Sequence, residues 1–349
     1  MIDLKNIIEK LLRERSLSVE EYEQLIEHRT PEIQELLRCE ADKIRKTIYG
    51  NKVYIRGLIE VSNICKNNCY YCGIRGENTN CQRYRLTADE ILECCDKGYE
   101  LGFRTFVMQG GEDGFFTDEV MCDLVREIKS RYPDCAVTLS LGERSYESYK
   151  RLYNAGADRY LLRHEAVSSQ LYGRLHPKEM KIENRLQCLE NLKKIGFQTG
   201  CGFMVGAPHQ TARHIAEDLK FIENFKPQMC GIGPFIPHKD TTFKDYPKGS
   251  AELTCFLLSI VRIVLPSVLL PATTALGTAE NDGRERGILS GANVVMPNLS
   301  PESVRAKYAL YDNKISTGAE SAQHIAELKA KMARIGYDVV CDRGDYVEK

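Results

Sequence analysis

From Gly50 onward the chain alternates short apolar runs with amphipathic stretches, eight times over, and this repeat restricts the fold more than any other feature. The apolar runs cover residues 53–61, 105–108, 136–141, 159–162, 198–205, 229–232, 268–271 and 293–296. Between successive runs lie amphipathic stretches at 88–101, 118–131, 145–154, 182–195, 212–224, 251–265 and 279–290. Strand followed by helix, repeated, argues for parallel βαβ units. Eight such units predict an α/β protein closed into a (β/α)8 TIM-type barrel. The same elements would also build a doubly wound open sheet with a second domain, and 349 residues accommodate either.

The flanks read differently. Residues 1–50 form an N-terminal helical extension, with Ser18-Val-Glu-Glu21 as a capping box and Pro31 in a first helical turn. Residues 51–312 are the barrel. Residues 313–349 are a C-terminal helical tail packed on it, with its helix over 316–335. Lys and Arg total 48 against 49 for Asp and Glu, a balance that offers a nucleic acid no basic face. The most apolar window, 257–270, is broken by Arg262 and Pro266, so no membrane span is expected. Residues 1–15 lack the apolar segment of a signal peptide, and the expected compartment is the cytoplasm.

Fourteen cysteines in a large chain without an export signal argue for free thiols rather than a disulfide framework. Only Cys65, Cys69 and Cys72 are tightly spaced, as C-x3-C-x2-C, directly after the first strand and therefore at the barrel's C-terminal face. Three convergent thiolates suit an iron–sulfur cluster, or zinc with Cys81 as a fourth ligand. Three ligands on a four-iron cube leave one iron open to a small molecule. Gly73 lets the chain turn closely past such a group.

Other candidates sit after later strands. In Met108-Gln-Gly-Gly-Glu112-Asp113, Gly111 admits a ligand close to the backbone and Glu112 can hold an ammonium group. Thr138, Ser140 and Glu143 cluster near strand three, and Arg159, Arg163, His164 and Glu165 near strand four. Arg185, opening the next helix, can clamp a carboxylate. Thr273, Thr274 and Met296 follow strands seven and eight at the expected mouth, and His238 reads as structural.

With Tyr71 before its last cysteine, the C-x3-C-x2-C motif resembles the radical S-adenosylmethionine (SAM) superfamily. Gly110-Gly111-Glu112 resembles that superfamily's methionine-binding motif. The strings Leu161-Leu-Arg-His-Glu165, Glu183-Asn-Arg185, Gly231-Ile-Gly-Pro-Phe-Ile-Pro-His238, Pro271-Ala-Thr-Thr-Ala275 and Gly291-Ala-Asn-Val-Val-Met-Pro-Asn298 narrow the likeness. Together they resemble the HydE family of FeFe-hydrogenase maturases, in the branch that holds biotin synthase and methylornithine synthase. The resemblance implies one 4Fe-4S cluster on Cys65, Cys69 and Cys72. It implies SAM contacts at Tyr71, Gly111, Glu112, Ser140, Glu165 and Arg185, and a substrate cavity lined by Thr138, Arg159, Thr273, Thr274, Met296 and Tyr311.

The implied reaction is reductive cleavage of SAM to methionine and a 5′-deoxyadenosyl radical. It serves assembly of the diiron subcluster of the hydrogenase H-cluster. The implied partners are a small-molecule or organometallic substrate, a one-electron donor and other hydrogenase maturases. An amino-acid mutase of the methylornithine synthase type is the rival. Some family members carry a second cluster on C-terminal cysteines. Residues 314–335 contain none and Cys341 stands alone, so a single cluster is expected here.

Overall fold

A computed structural model describes residues 4–315 and 318–348. Three helices come first: α1 (Leu4–Glu14), α2 (Val19–Glu27) and α3 (Pro31–Tyr49). Ser18 caps α2 with the reciprocal Glu21 bond of a capping box, and Thr30 caps α3 with Pro31 in its first turn, as expected. The first barrel strand breaks at Arg56 into β1 (Lys52–Ile55) and β2 (Gly57–Ser62). Then follow α4 (Ala88–Glu100), β3 (Thr105–Gly110), α5 (Asp118–Arg131), β4 (Ala136–Ser140), α6 (Tyr146–Asn154), β5 (Arg159–Leu161), α7 (Ser169–Leu175) and α8 (Ile182–Ile195). The next run splits into β6 (Gln198–Cys201) and β7 (Met204–Val205) around Gly202, whose φ of +146° favours glycine. After α9 (Ala212–Phe225) come β8 (Met229–Cys230), β9 (Gly233–Pro234), α10 (Ala251–Val264), α11 (Thr274–Ala279), α12 (Gly283–Leu289), β10 (Val294–Val295) and α13 (Glu302–Arg305). The last elements are α14 (Ile325–Arg334) and β11 (Asp338–Val340).

The strands are parallel in the order β2-β3-β4-β5-β6-β8. Leu269 bridges Met229, Pro271 bridges Val294, and β10 pairs with β1, so the ring closes. The seventh expected strand is thus present as bridges rather than a ladder. The helices surround this ring and its strands are buried on both faces, the arrangement that produces continuous apolar runs.

The tail departs from expectation. Ser316 and Thr317, the start of the expected tail helix, lie outside the described residues, and the helix found is α14. The chain then adds β11 as a parallel neighbour of β1, and residues 343–346 cross the N-terminal end of the barrel. No described helix is long and apolar enough to cross a membrane.

Candidate active site

At the C-terminal mouth lies a cavity of about 290 Å3. Its lining gathers Cys65, Cys69 and Cys72 with Gly111, Glu112, Ser140, Glu165 and Arg185, residues that the sequence scatters over 120 positions of four βα units. Tyr71, Thr273 and Tyr311 complete the set of expected residues on the wall.

Two glycines set the spacing. A Cβ on Gly111 would lie 2.3 Å from the Ile64 carbonyl oxygen and 2.7 Å from the Cys65 Cβ, so only glycine brings the end of β3 against the cysteine loop. Gly142, at φ +78°, leaves room for the Glu112 side chain, whose Cγ a Cβ there would meet at 2.1 Å. The Glu112 backbone N–H donates to Cys65 Sγ at 3.4 Å. Its carboxylate accepts from the Glu143 N–H at 3.1 Å and pairs with Lys66 Nζ at 3.1 Å.

Across the cavity Glu165 holds φ at +66°, a conformation costly for a non-glycine residue. Its Oε2 is buried without a hydrogen-bond partner, 3.3 Å from Arg163 Nη2, which is likewise unsatisfied. Arg185 donates through Nε to Glu143 Oε1 at 2.6 Å and through Nη1 to the Arg163 carbonyl at 3.0 Å. Thus Glu143, not a free carboxylate site, occupies one edge of the Arg185 fork. Unsatisfied buried polar atoms facing a cavity are what a polar, zwitterionic ligand satisfies.

The thiols fit a cluster. Burial pushes the Cys65 thiol up, Cys69 up to about 12, and Cys72 up as well. The free thiols are therefore protonated at neutral pH, and ligation must release their protons. Among the described residues no three His, Cys, Asp or Glu side chains converge on a single-ion site. A cubane presents a separate iron to each thiolate and accepts wider spacing. The alternative zinc site is not built: Cys81 accepts from Asn63 Nδ2 at 3.4 Å and lines a separate pocket on the far side of Gly73.

Tyr71 leads to a buried histidine. His176 donates from Nδ1 to the Tyr172 carbonyl at 2.9 Å, which leaves Nε2 to accept from the Tyr71 hydroxyl at 3.2 Å. Burial pushes the imidazole down to about 3; the Tyr172 bond opposes this and the Arg185 charge adds to it. The unfolded chain binds the proton below about 6.5 while the folded chain does not. Stability is therefore lost as pH falls from about 6.5 toward 3, by up to roughly 1.4 kcal/mol per pH unit. Urea unfolding of the apo chain at pH 7.5 and pH 5 is expected to show this acid loss, and His176→Gln to show less of it. Equal losses in both chains would mean that His176 is protonated in the fold.

Four expected substrate residues lie elsewhere. Arg159 opens β5 at the opposite, N-terminal end, fully buried, and pairs with Asp345 at 2.6 Å and Thr105 Oγ1 at 3.0 Å. Thr138, its register partner in β4, is buried in the wall with an unpartnered hydroxyl. Met296 packs inside the barrel with Tyr54, Met229 and Leu269. Thr274 starts α11 and accepts from Arg284 at 3.3 Å instead of facing the cavity. Thr273 does face it, and also caps α11. His238 is buried, its ring lying where a Cβ on Gly73 would meet it at 2.3 Å. The sequence reading missed Gln109, whose Nε2 donates to the Tyr308 hydroxyl at 3.3 Å, and Tyr308 itself. The only sequence signal for Tyr308 was its spacing of three from Tyr311.

Residues 59–222 match the family model described as the Radical SAM superfamily. The FeFe hydrogenase maturase subunit HydE of Thermotoga maritima is 44% identical over 311 residues, 89% of this chain and 88% of that protein. The 3-methylornithine synthase of Methanosarcina acetivorans is 26% identical over 90% of this chain and 88% of its own. A crystal structure of methylornithine synthase superposes with a TM-score of 0.83 at 23% identity, covering 96% of this chain and 97% of that one, a likeness of fold. With 44% identity over nearly the whole barrel and its flanks, the chain belongs to the HydE family of FeFe-hydrogenase maturases, radical SAM enzymes whose family cofactors are a 4Fe-4S cluster and SAM.

Proposed function

We propose that the chain cleaves SAM reductively in the central cavity and serves assembly of the diiron subcluster of the FeFe-hydrogenase H-cluster. One observation carries the reading: three cysteines of one loop share a cavity with the carboxylates and guanidinium groups that a bound methionine moiety needs. Bound there, a single 4Fe-4S cluster and SAM supply one-electron reduction of a sulfonium C–S bond.

The protein's part is position and charge. Cys65, Cys69 and Cys72 hold the cluster, and Gly111 lets Glu112 lie beside it. Glu112 and Glu165 accept from an ammonium group and hydroxyls; Arg163 and Arg185 hold a carboxylate, while Ser140 and Tyr71 complete the wall. Thr273, Tyr308 and Tyr311 bound the substrate end, where Leu310 and Ile236 add apolar surface. Neither carboxylate on the lining belongs to that end, which disfavours the cationic side chain of an amino-acid mutase substrate. Residues 51–312 would form the catalytic unit, working in the reducing cytoplasm with a one-electron donor and other maturases.

The test is anaerobic reconstitution, with about four irons and four sulfides expected per chain and SAM cleavage under dithionite. Near eight irons would overturn the single cluster; zinc alone would overturn the whole reading. Arg185→Leu strands Glu143 and removes the clamp, so SAM binding is expected to weaken by about 2 kcal/mol, roughly thirtyfold. The SAM-free cluster spectrum should not move. Unchanged affinity would make Arg185 purely an ion-pair partner of Glu143.

A further inference from the structure

The loop that carries the three cysteines is tied together by one side chain outside the motif. Arg83 donates through Nη1 to the carbonyls of Asn63 at 2.6 Å and Ile74 at 2.8 Å. Through Nη2 it donates to those of Arg75 at 2.6 Å, Asn78 at 3.1 Å and Gly76 at 3.4 Å. Asn63 precedes Cys65 by two residues and Ile74 follows Cys72 by two, so a single guanidinium joins the entry of the loop to its exit. Secondary bonds lie around this fork. Asn63 accepts the Tyr84 N–H at 2.8 Å, Asn78 donates to the Gly73 carbonyl at 2.6 Å, and the Gly76 N–H reaches the Asn67 carbonyl at 2.8 Å. Loop carbonyls without strand partners need donors, and a planar five-donor fork supplies several at once where an ammonium cannot.

All five acceptors are neutral. The basic neighbours Arg75 and Arg85 differ, since they pair with Glu77 at 3.3 Å and Asp113 at 2.8 Å. A cluster on three thiolates is anionic and gains a further negative charge on reduction, so a nearby cation that forms no ion pair among the described residues favours the reduced form. We propose that Arg83 is a positioning residue for the cluster: its fork fixes the arms of the cysteine loop, and its charge makes the cluster easier to reduce. The proposal rests on the cluster assignment above.

Two substitutions separate the fork from the charge. Arg83→Lys keeps the cation and loses the fork; Arg83→Gln loses both. In the apo chain, amide hydrogen exchange in residues 63–78 is expected to quicken at least about tenfold in both variants, with the barrel helices unaffected. In the reconstituted chain, the midpoint potential from an EPR-monitored titration should move to more negative values in Arg83→Gln and stay near the parent value in Arg83→Lys. Unchanged exchange in both variants would overturn the positioning role. Equal downward shifts in both would overturn the electrostatic one. If Arg83→Gln fails to fold, Arg83→Lys still scores the fork through its loop exchange, and a midpoint potential in Arg83→Lys well below the parent value overturns the electrostatic part. A parent chain that takes up no 4Fe-4S cluster would refute the cluster assignment instead, while the apo exchange would still score the fork.

Discussion

Replacing Cys72 with alanine is expected to strip the chain of its cluster: iron after anaerobic reconstitution falls from about four per chain to below one, and reductive SAM cleavage falls to background. The effect is total because a three-thiolate cube has no spare ligand. The variant should fold, since the loop at this point is held by its backbone. The Cys72 N–H donates to the Cys69 carbonyl at 3.1 Å, and the Gly73 N–H to the Leu310 carbonyl at 2.8 Å. Alanine keeps both bonds. Cys81→Ala and Cys341→Ala are the controls and should retain full iron, one thiol lying in a separate pocket and the other exposed beside Gly102. Iron analysis with sulfide decides the matter, and full iron in Cys72→Ala would remove it from the ligand set.

Lys314→Met is expected to produce the largest loss of stability, about 3 kcal/mol or more. Glu60 is fully buried in β2, and its partners are the Lys314 ammonium, itself nearly buried, and Asn298 Nδ2 at 2.9 Å. Removing the lysine leaves a carboxylate in the interior with one amide to offset its desolvation. The same lysine donates to the Tyr308 carbonyl at 3.1 Å and lies 4.9 Å from that ring's centroid. The variant should therefore also loosen the segment bearing Tyr308 and Tyr311. Glu60→Gln added to Lys314→Met removes the stranded charge and should recover most of the loss. Urea unfolding measures all three; a single-variant loss under about 1 kcal/mol would mean that water reaches the pair.

The ring of strands was legible because strands covered on both faces become apolar runs, and the cysteine loop because its spacing is rare. What misled was direction along a strand. Arg159 and Arg163 are both charged residues near one apolar run, but Arg159 begins β5 and Arg163 follows it. A barrel sends the first to its base and the second to its mouth. Thr138 and Met296 are off the cavity lining for a related reason: Thr138 lies mid-strand in β4 and Met296 just after β10, in the layers under the cavity, and no local pattern marks the layer at which open space begins. The break at Arg56 and the strand β11 were missed because both depend on pairing between distant segments.

That long-range pairing bears on how the molecule is made. β1 is flanked by β10 on one side and β11 on the other, and Thr105 Oγ1 reaches the Arg343 carbonyl 238 residues away. On a ribosome, β1 emerges early with neither flank available, and Arg159 waits without its carboxylate partner until Asp345 appears. Contacts of such separation slow folding and prolong exposure of apolar edges. The base of the barrel is therefore the last part to close during synthesis, and the nascent chain is most open to aggregation or proteolysis there, far from the cysteines that do the chemistry.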